Sequence, residues 1–123
     1  MALATFEDLQ VWQRGCRQAV DVCRPVENWR IFSLRDQLQR AAISVPSNIA
    51  EGHERDSSGD FVRFLRIAKG SNGEMRTQLY IAQDLGLISS DDRKRLATES
   101  KEIAAMLQGL ITSVQSRSKG SEN

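Results

Sequence analysis

The sequence predicts an all-α protein, an antiparallel up-down-up-down four-helix bundle in which a proline kinks the second helix. Apolar residues recur three and four positions apart in four segments of roughly 20 residues, which capping and turn signals separate. No segment shows the alternating pattern of a strand. Pro46 lies between helical flanks, although proline in a helix interior costs about 3 kcal/mol. Ser44, Ser47 and Asn48 surround it and are predicted to support the backbone groups that it frees.

The composition predicts one domain in a reducing compartment. The 123 residues are 40% hydrophobic and 27% charged, and their net charge of +1 argues neither for nor against nucleic acid. No apolar run approaches the ~20 residues of a membrane span, and the N-terminus lacks a secretion signal. Cys16 and Cys23 lie too far apart on one predicted helix for a disulfide and are predicted as small core residues. We expect a cytoplasmic bundle domain over residues 1–115, a disordered tail over 116–123 and no membrane partner.

The first helix is predicted to begin after Thr5, because Thr5 and Asp8 resemble a capping box, and to end at Pro25. The segment from Val26 to Phe32 is too apolar for a free loop, so we expect it to pack over a bundle end or against a neighbour. Three-four spacing predicts a core seam of Leu9, Trp12, Cys16, Ala19 and Cys23.

The second helix is predicted from a cap at Ser33, supported by Asp36, to about Glu54. Its predicted core stripe consists of Leu34, Leu38, Ala41, Ala42, Val45 and Ile49. A polar stripe beside the core carries Gln37, Arg40, Ser44, Asn48, Glu51 and Arg55, and the far side carries Ile43 and Ala50.

The third helix is predicted to start at a cap formed by Ser57 or Ser58 and to end before Gly86. The run Lys69–Gly73 has the composition of a turn, but the apolar arc keeps its phase across it, which favours one continuous helix. The predicted core of this helix is Phe61, Phe64, Leu65, Ala68, Met75, Leu79, Ala82 and Leu85. After a cap at Ser89–Asp92, the fourth helix is predicted to carry a seam of Leu96, Ile103, Leu107, Leu110 and Val114, flanked by Ala97, Ala104 and Ile111.

Three segments resemble a known family: Phe6–Trp12, Gln37–Gly52 with its Ser-Val-Pro-Ser-Asn-Ile-Ala-Glu-Gly ending, and Phe64–Ala68 followed by Gly70, Ser71 and Glu74. Over about residues 5 to 114 the chain is similar to the bacterial four-helix-bundle proteins also called 23S rRNA-intervening sequence proteins. The resemblance implies a continuous kinked second helix, a continuous third helix and a ring-shaped homopentamer. Some members are encoded within intervening sequences of large ribosomal RNA genes. A related group serves as accessory variability proteins of retroelements, which bind a reverse transcriptase and nucleic acid.

Two interpretations of the polar stripe on the second helix stay open, a solvated helix face and a subunit interface. The family signature contains these same residues, which favours the interface. At such an interface Arg40 could pair with Glu51, and because the two lie nearly three turns apart on one helix, that pairing would have to join two helices. The candidate residues for the interface or for support of the kink are Gln37, Arg40, Ile43, Ser44, Asn48, Ala50 and Glu51.

A basic arc on the third helix is predicted to lie opposite the core, with an aromatic residue among its cations. Phosphate contact and base stacking use this combination. The candidate nucleic-acid-binding residues are Arg63, Arg66, Lys69, Arg76 and Tyr80. A solvated face is the alternative, and Asp60 and Glu74 nearby favour it for a single chain, whereas five-fold repetition would multiply a weak patch. Arg93–Arg95 are interpreted as a solvated first turn.

No motif in the sequence predicts catalysis, a cofactor or a metal site. His53 is the single histidine, and a helix directs its neighbours Glu51 and Glu54 elsewhere. The Glu-x-x-His pairs of di-iron bundles and a phosphate-binding glycine loop are both missing. We therefore expect a non-enzymatic protein.

The predicted function is that of a homo-oligomeric accessory or scaffold protein, a pentamer if the resemblance holds. Its expected partners are copies of itself and RNA or a nucleic-acid enzyme. The alternative is a protein–protein interaction module with no nucleic-acid role, and salt-dependent retention of RNA would separate the two.

Overall fold

The computed structural model describes residues 5–121, with side chains to Ser118. It contains a short 3₁₀ turn over Phe6–Asp8 and four helices: α1 (Gln10–Val26), α2 (Phe32–Glu54), α3 (Ser58–Asp84) and α4 (Ser90–Ser121). No strand occurs within residues 5–121, so the all-α prediction is confirmed. The helix α2 packs against α1 and α3, and α4 packs against α3 and α1, which closes a four-helix bundle. The kink at Pro46 and the up-down-up-down order stay predictions.

Hydroxyl caps begin the last two helices as the sequence predicts. The Ser57 Oγ accepts a hydrogen bond from the Asp60 backbone N–H at 3.0 Å, and the Ser89 Oγ accepts one from the Asp92 N–H at 3.1 Å. Each bond satisfies a backbone donor that has no partner within its helix. The helix α3 runs unbroken through Lys69–Gly73, so the prediction of one continuous helix is confirmed.

Gly86 ends α3 in the left-handed conformation, with φ of +76°. Its N–H donates to the Gln83 carbonyl and the Leu87 N–H donates to the Ala82 carbonyl, each at 2.9 Å. These two bonds form a Schellman motif, which favours glycine at this position because it has no Cβ. Leu85, predicted in the core, is 53% exposed instead, because it lies beyond the last helical residue, at the start of this turn.

Two predicted helix starts and the predicted tail differ from the structure. The Thr5 N–H does bond to the Asp8 carboxylate at 3.3 Å, but this caps the 3₁₀ turn rather than α1. The helix α2 starts at Phe32, so Ser33 lies inside it and caps nothing. The helix α4 continues through residues 116–121, part of the segment in which we expected disorder. Residues 122 and 123 lie outside the described part of the chain.

The predicted core face of α1 is confirmed in part, since Leu9 and Trp12 pack partly buried against the core, whereas that of α2 is confirmed at all six positions. Only Ala19 of the predicted α1 seam is buried, and its cysteines are half-buried. A Cβ on Gly15 would lie 3.5 Å from the Cβ of Pro46, so the glycine brings α1 close to α2 at the proline. The residues that α1 buries are Val11, Gly15, Gln18, Ala19, Val22 and Val26.

The buried apolar side chains form two clusters. One surrounds Leu38 and Met75 and takes in Val26 and Trp29, so part of the segment between α1 and α2 packs over the bundle as expected. The other surrounds Ile49, Leu65, Ile103 and Leu107.

A polar layer separates these clusters. It consists of Gln18 from α1, Asn72 from α3 and Ser100 from α4, all fully buried. The Gln18 Nε2 donates to the Asn72 Oδ1 at 3.2 Å. The Asn72 Nδ2 donates to the Ser100 carbonyl at 2.7 Å, and the Ser100 Oγ donates to the Asn72 Oδ1 at 2.9 Å. These bonds link three helices through one side chain, Asn72.

An ion pair also joins α1 to α4 at the surface. The Arg14 guanidinium pairs with Glu99 and, at 3.4 Å, with Glu102. Its other amino group contacts the sulfur of Met106 at 3.4 Å. Arg14 therefore supplies polar contacts between α1 and α4.

Candidate subunit and nucleic-acid interfaces

The predicted polar stripe of α2 lies beside α3. Of its residues, Gln37, Arg40 and Glu51 are exposed, and Ser44 and Asn48 are partly buried. On the far side of the helix, Ile43 is exposed and Ala50 is partly buried. The exposed fraction of Ile43 is 52%, high for a large apolar side chain. The stripe is therefore accessible, as either interpretation of it requires.

Two residues of the stripe form hydrogen bonds next to Pro46. The Asn48 Nδ2 donates to the Ser44 carbonyl and to the Ser44 Oγ, both at 2.8 Å. The Ser44 hydroxyl lies 2.9 Å from the hydroxyl of Ser71 on α3. These bonds fix the position of α2 along α3 at the level of the proline. Whether they offset the cost of Pro46 stays a prediction.

A shallow pocket of about 230 Å³, here called the α2–α3 pocket, opens between the two helices. Within residues 5–118, Arg40 and Glu74 both line it without forming an ion pair. Glu51 instead pairs with Arg55 one turn along α2, at 3.4 Å. The pocket is lined by Gln37, Arg40, Ala41, Ser44, Ser71 and Glu74.

The predicted basic residues of α3 do not form a single outward arc. Arg63 pairs with Asp60 at 3.7 Å and its guanidinium lies 4.5 Å from the ring centre of Phe64. Lys69 instead faces α4, where its Nζ donates to the Gln108 Oε1 at 2.7 Å. The arc is therefore divided between two sides of the helix.

Arg76 and Tyr80 also lie on the α4 side. Arg76 is half-buried and donates to the Ser100 Oγ at 3.2 Å, so the expectation that it points away from the core is wrong. Arg93 of α4 lies 4.5 Å over the Tyr80 ring and donates to the Gln83 Oε1 at 2.6 Å. The interpretation of Arg93 as a freely solvated residue is therefore wrong. Its contact with Tyr80 depends on the turn at Gly86, which periodicity within one helix does not reveal.

We call the residues that meet on this side the basic face: Arg66, Lys69, Arg76, Tyr80 and Arg93. Among the described side chains, none of its four cations has a carboxylate within 4.0 Å. Arg66 is exposed and also borders an open pocket of about 410 Å³ between the start of α3 and the end of α4. On α3, Gly70 and Gly73 have no atom within 4 Å of where a Cβ would stand. The backbone between the cations is therefore accessible to a partner.

The remaining candidate chemistry is sparse in the described residues. No group of three or more histidine, cysteine or acidic side chains is placed there to hold a metal ion. His53 contacts the edge of the Phe61 ring, 5.5 Å between ring centres. Burial raises the pKa of the Cys16 and Cys23 thiols, which makes the reactive thiolate scarcer. Within residues 5–121, no helix has the length and apolar character needed to cross a membrane.

A family model described as 23S rRNA-intervening sequence protein matches residues 7–109. The chain belongs to this family. The match contains the signature around Pro46, all of α1, α2 and α3, and most of α4. The resemblance inferred from Phe6–Trp12 and Gln37–Gly52 is thereby confirmed.

A solved structure with the same fold is that of a protein with unknown function from the S23 ribosomal protein family of Bacteroides thetaiotaomicron VPI-5482. It is 24% identical to this chain, covers 82% of this chain and 97% of its own, and superposes with a TM-score of 0.77. At that identity the likeness establishes the fold. No curated protein matches the sequence. Neither the family nor the neighbour is described as an enzyme.

Proposed function

We propose that the protein is a non-enzymatic, homo-oligomeric bundle of the bacterial cytoplasm that acts as an accessory or scaffold protein and binds RNA or a ribonucleoprotein. Its partners are copies of itself, in a pentamer, and RNA or a nucleic-acid enzyme. The family description supports an association with ribosomal RNA genes. The nucleic-acid part rests on one observation, the basic face.

The cations of the basic face can contact phosphate because no described carboxylate pairs with them. The partners of Lys69 and Arg76 are a neutral amide and a hydroxyl. Neither neutralises its cation, whereas Asp60 does so for Arg63. The charge of the basic face is therefore available to an anionic partner, and phosphate contacts supply most of the affinity of non-specific nucleic-acid binding.

The geometry of the basic face adds a second argument. Residues 66, 69, 73, 76 and 80 follow three-four spacing, which places them about 5 Å apart along one ridge of α3. Gly73 interrupts the ridge and Tyr80 ends it with a 42% exposed ring. A ridge of cations with an uncovered backbone and a terminal aromatic ring can contact successive phosphates and stack one base. Repetition of the face around an oligomer would multiply a weak single-chain affinity.

Filter retention of a structured RNA across a salt series tests this proposal. We expect Arg66→Glu with Lys69→Glu to abolish retention, because both cations are exposed on the basic face. The matched control is Lys94→Glu with Arg95→Glu, which changes the charge equally at exposed positions outside that face. In a milder variant, Arg66→Gln with Lys69→Gln, loss of two phosphate contacts should reduce the salt slope by about 1.4–1.8, from single-stranded to double-stranded contacts.

Circular dichroism confirms that each variant is folded. Wild-type protein that retains no RNA at low salt would eliminate the nucleic-acid role. Equal losses in the two double variants would mean that overall charge, and not the basic face, carries the binding.

The oligomeric part has its own test. Ile43 and Phe32 on α2 are more than half exposed, which favours their burial against another subunit. Light scattering behind a sizing column should give about five times the chain mass of 13.8 kDa. A monomer at micromolar concentration would contradict assembly. If assembly occurs without RNA binding, the protein–protein interaction module becomes the better description.

A further inference from the structure

A partly exposed aromatic ring ends the basic face, and a cation from the next helix holds it in place. Tyr80 is 42% exposed, and its hydroxyl forms no hydrogen bond with any described group. The Arg93 guanidinium lies over the ring, 4.5 Å from its centre. The Nε of Arg93 donates to the Gln83 Oε1 at 2.6 Å, which fixes the guanidinium in turn. These contacts join α3 to the first turn of α4 and set the orientation of the ring before any partner binds.

A ring that is already fixed in place is suited to stacking with a base. Immobilising a free side chain on binding lowers affinity, and the contact between Tyr80 and Arg93 removes part of that loss. Bases stack on aromatic rings and also on the plane of an arginine guanidinium. One stacked base typically strengthens binding by about 5- to 150-fold. We call Tyr80 and Arg93 together the stacking platform.

Only unpaired bases can reach such a platform. In a double helix the bases are stacked on one another, and proteins recognise double-stranded RNA by its shape, its 2′-hydroxyls and its phosphates. Single strands and loops present bases that can be splayed out onto a side chain. Phosphate charge alone would favour the duplex, in which the charge density is higher. The stacking platform therefore acts in the opposite direction to the cations when the two forms of RNA compete.

The cations of α3 lead to the stacking platform in a single line. Arg66 and Tyr80 stand about 21 Å apart along the helix, at 1.5 Å per residue. A domain that binds double-stranded RNA instead spans about 16 base pairs and contacts two successive minor grooves. One line of cations follows one phosphate backbone, and the uncovered backbone at Gly70 and Gly73 lets that strand approach closely.

We propose that the basic face binds single-stranded RNA in preference to duplex RNA, with one base stacked on Tyr80 and Arg93. The adjoining phosphates of the same strand contact Arg66 and Lys69. This inference rests on the nucleic-acid part of the proposed function and names the form of RNA that the face selects. Tyr80 determines the selection, because the cations contact the phosphates of either form.

Competition between two forms of one RNA tests the preference. Fluorescence anisotropy measures binding of a labelled, unstructured strand of about 12 nucleotides, and of the same strand annealed to its complement. We expect the wild-type protein to bind the single strand more tightly. Tyr80→Ala should weaken binding of the single strand by about 5- to 150-fold and leave binding of the duplex unchanged. The matched control is Ile81→Ala, which removes a 46% exposed side chain outside the basic face and should change neither affinity.

Two further measurements separate stacking from charge and from folding. The Tyr80 ring is uncharged, so Tyr80→Ala should leave the salt slope of single-strand binding unchanged, whereas Arg66→Gln with Lys69→Gln reduces it. Tyr80→Phe keeps the ring and should bind both forms as the parent does. Circular dichroism checks the fold of each variant, and Tyr80→Leu, which leaves less of a gap, replaces Tyr80→Ala if the alanine variant does not fold.

The outcomes distinguish this inference from the proposed function. Wild-type protein that binds neither form of RNA would contradict both. Wild-type protein that binds the duplex as tightly as the single strand, or more tightly, would contradict the inference alone. A preference for the single strand that persists in Tyr80→Ala would also contradict it, because the selection would then come from another part of the molecule.

Discussion

Replacing Gly52 by alanine is expected to weaken the fold, although alanine is the better helix former. Gly52 is buried in the last turn of α2, where that helix meets α3. A Cβ there would lie 2.6 Å from the Cβ of Phe64 and 3.3 Å from the backbone oxygen of Phe61. Neither atom moves when a side chain rotates, so the two helices would have to separate.

The size of the effect follows from two opposing contributions. Alanine gains about 1 kcal/mol over glycine in helix propensity. Overpacking costs typically about 1–3 kcal/mol, and a contact roughly 1 Å shorter than the ordinary carbon–carbon distance belongs near the upper limit. The expected net loss is about 2 kcal/mol. For 123 residues, the unfolding entropy is about 260 cal/mol/K, so the melting temperature should fall by about 8 °C.

Alanine at Gly70 or Gly73 is the matched control, because the same chemical change should have the opposite sign there. Nothing lies within 4 Å of a Cβ at either position, so each substitution should gain about 1 kcal/mol, or about 4 °C. Urea and thermal unfolding followed by circular dichroism, at one protein concentration, measure all three variants. A Gly52→Ala variant as stable as the parent would refute the argument from close packing. A loss of stability in Gly70→Ala would mean that another surface covers that position.

Replacing Ser44 and Asn48 together by alanine should lower the free energy of unfolding by about 1–3 kcal/mol, because their hydrogen bonds next to the proline are lost; a double variant that melts like the parent would show that these side chains are merely solvated. Asn72→Ala should cost about 2 kcal/mol or more in urea unfolding, since a buried amide on α1 and a buried hydroxyl on α4 lose a partner. Alkylation of Cys16 and Cys23 at about pH 8 should be slower in the folded chain than in urea, because burial raises the pKa of both thiols; equal rates would contradict this. The folded state then holds these protons more tightly than the unfolded chain does. The thiols' contribution to stability is therefore complete below their ordinary pKa of 9.0 and decreases as pH rises above it. Denaturation midpoints on either side of that pH would measure the decrease.

The core of α2 could be predicted in full from the sequence, and that of α1 only in part. Along α2 one apolar stripe is continuous from Leu34 to Ile49, so the helical period alone identifies the buried side. The buried side of α1 includes Gly15 and Gln18, residues that no apolar pattern selects. Gly15 is buried because Pro46 of another helix packs against it, which is a tertiary contact.

For the candidate interfaces too, the sequence predicted which residues share a side of one helix, but not which residues of two helices meet. The sequence placed Arg40 and Ser44 on one stripe, but it did not identify Glu74 and Ser71 as the opposite wall of the α2–α3 pocket. Periodicity says which residues of a helix share a side, and it leaves open which side faces a neighbouring helix. Tyr80 was predicted as part of the site because it shares a side of α3 with the cations. Arg93, which lies over its ring, was missed because it belongs to α4.

The polar layer between the two apolar clusters distinguishes the native alignment of the helices from near misses. Helices with a repeating apolar stripe can slide by one turn and still bury apolar groups, so apolar packing alone discriminates poorly among alignments. A shift of α4 by one turn along α3 would put Leu96 or Ala104 where Ser100 now meets Asn72, so the Asn72 Oδ1 would keep only the Gln18 amide and the Arg76 guanidinium would lose the hydroxyl that accepts its hydrogen bond. Each hydrogen bond lost in this way costs about 0.5–1.5 kcal/mol, against the ~5–15 kcal/mol that stabilises a typical domain. Gln18, Asn72 and Ser100 therefore make the shifted alignments less stable than the native one, a distinction that the apolar stripes alone do not provide.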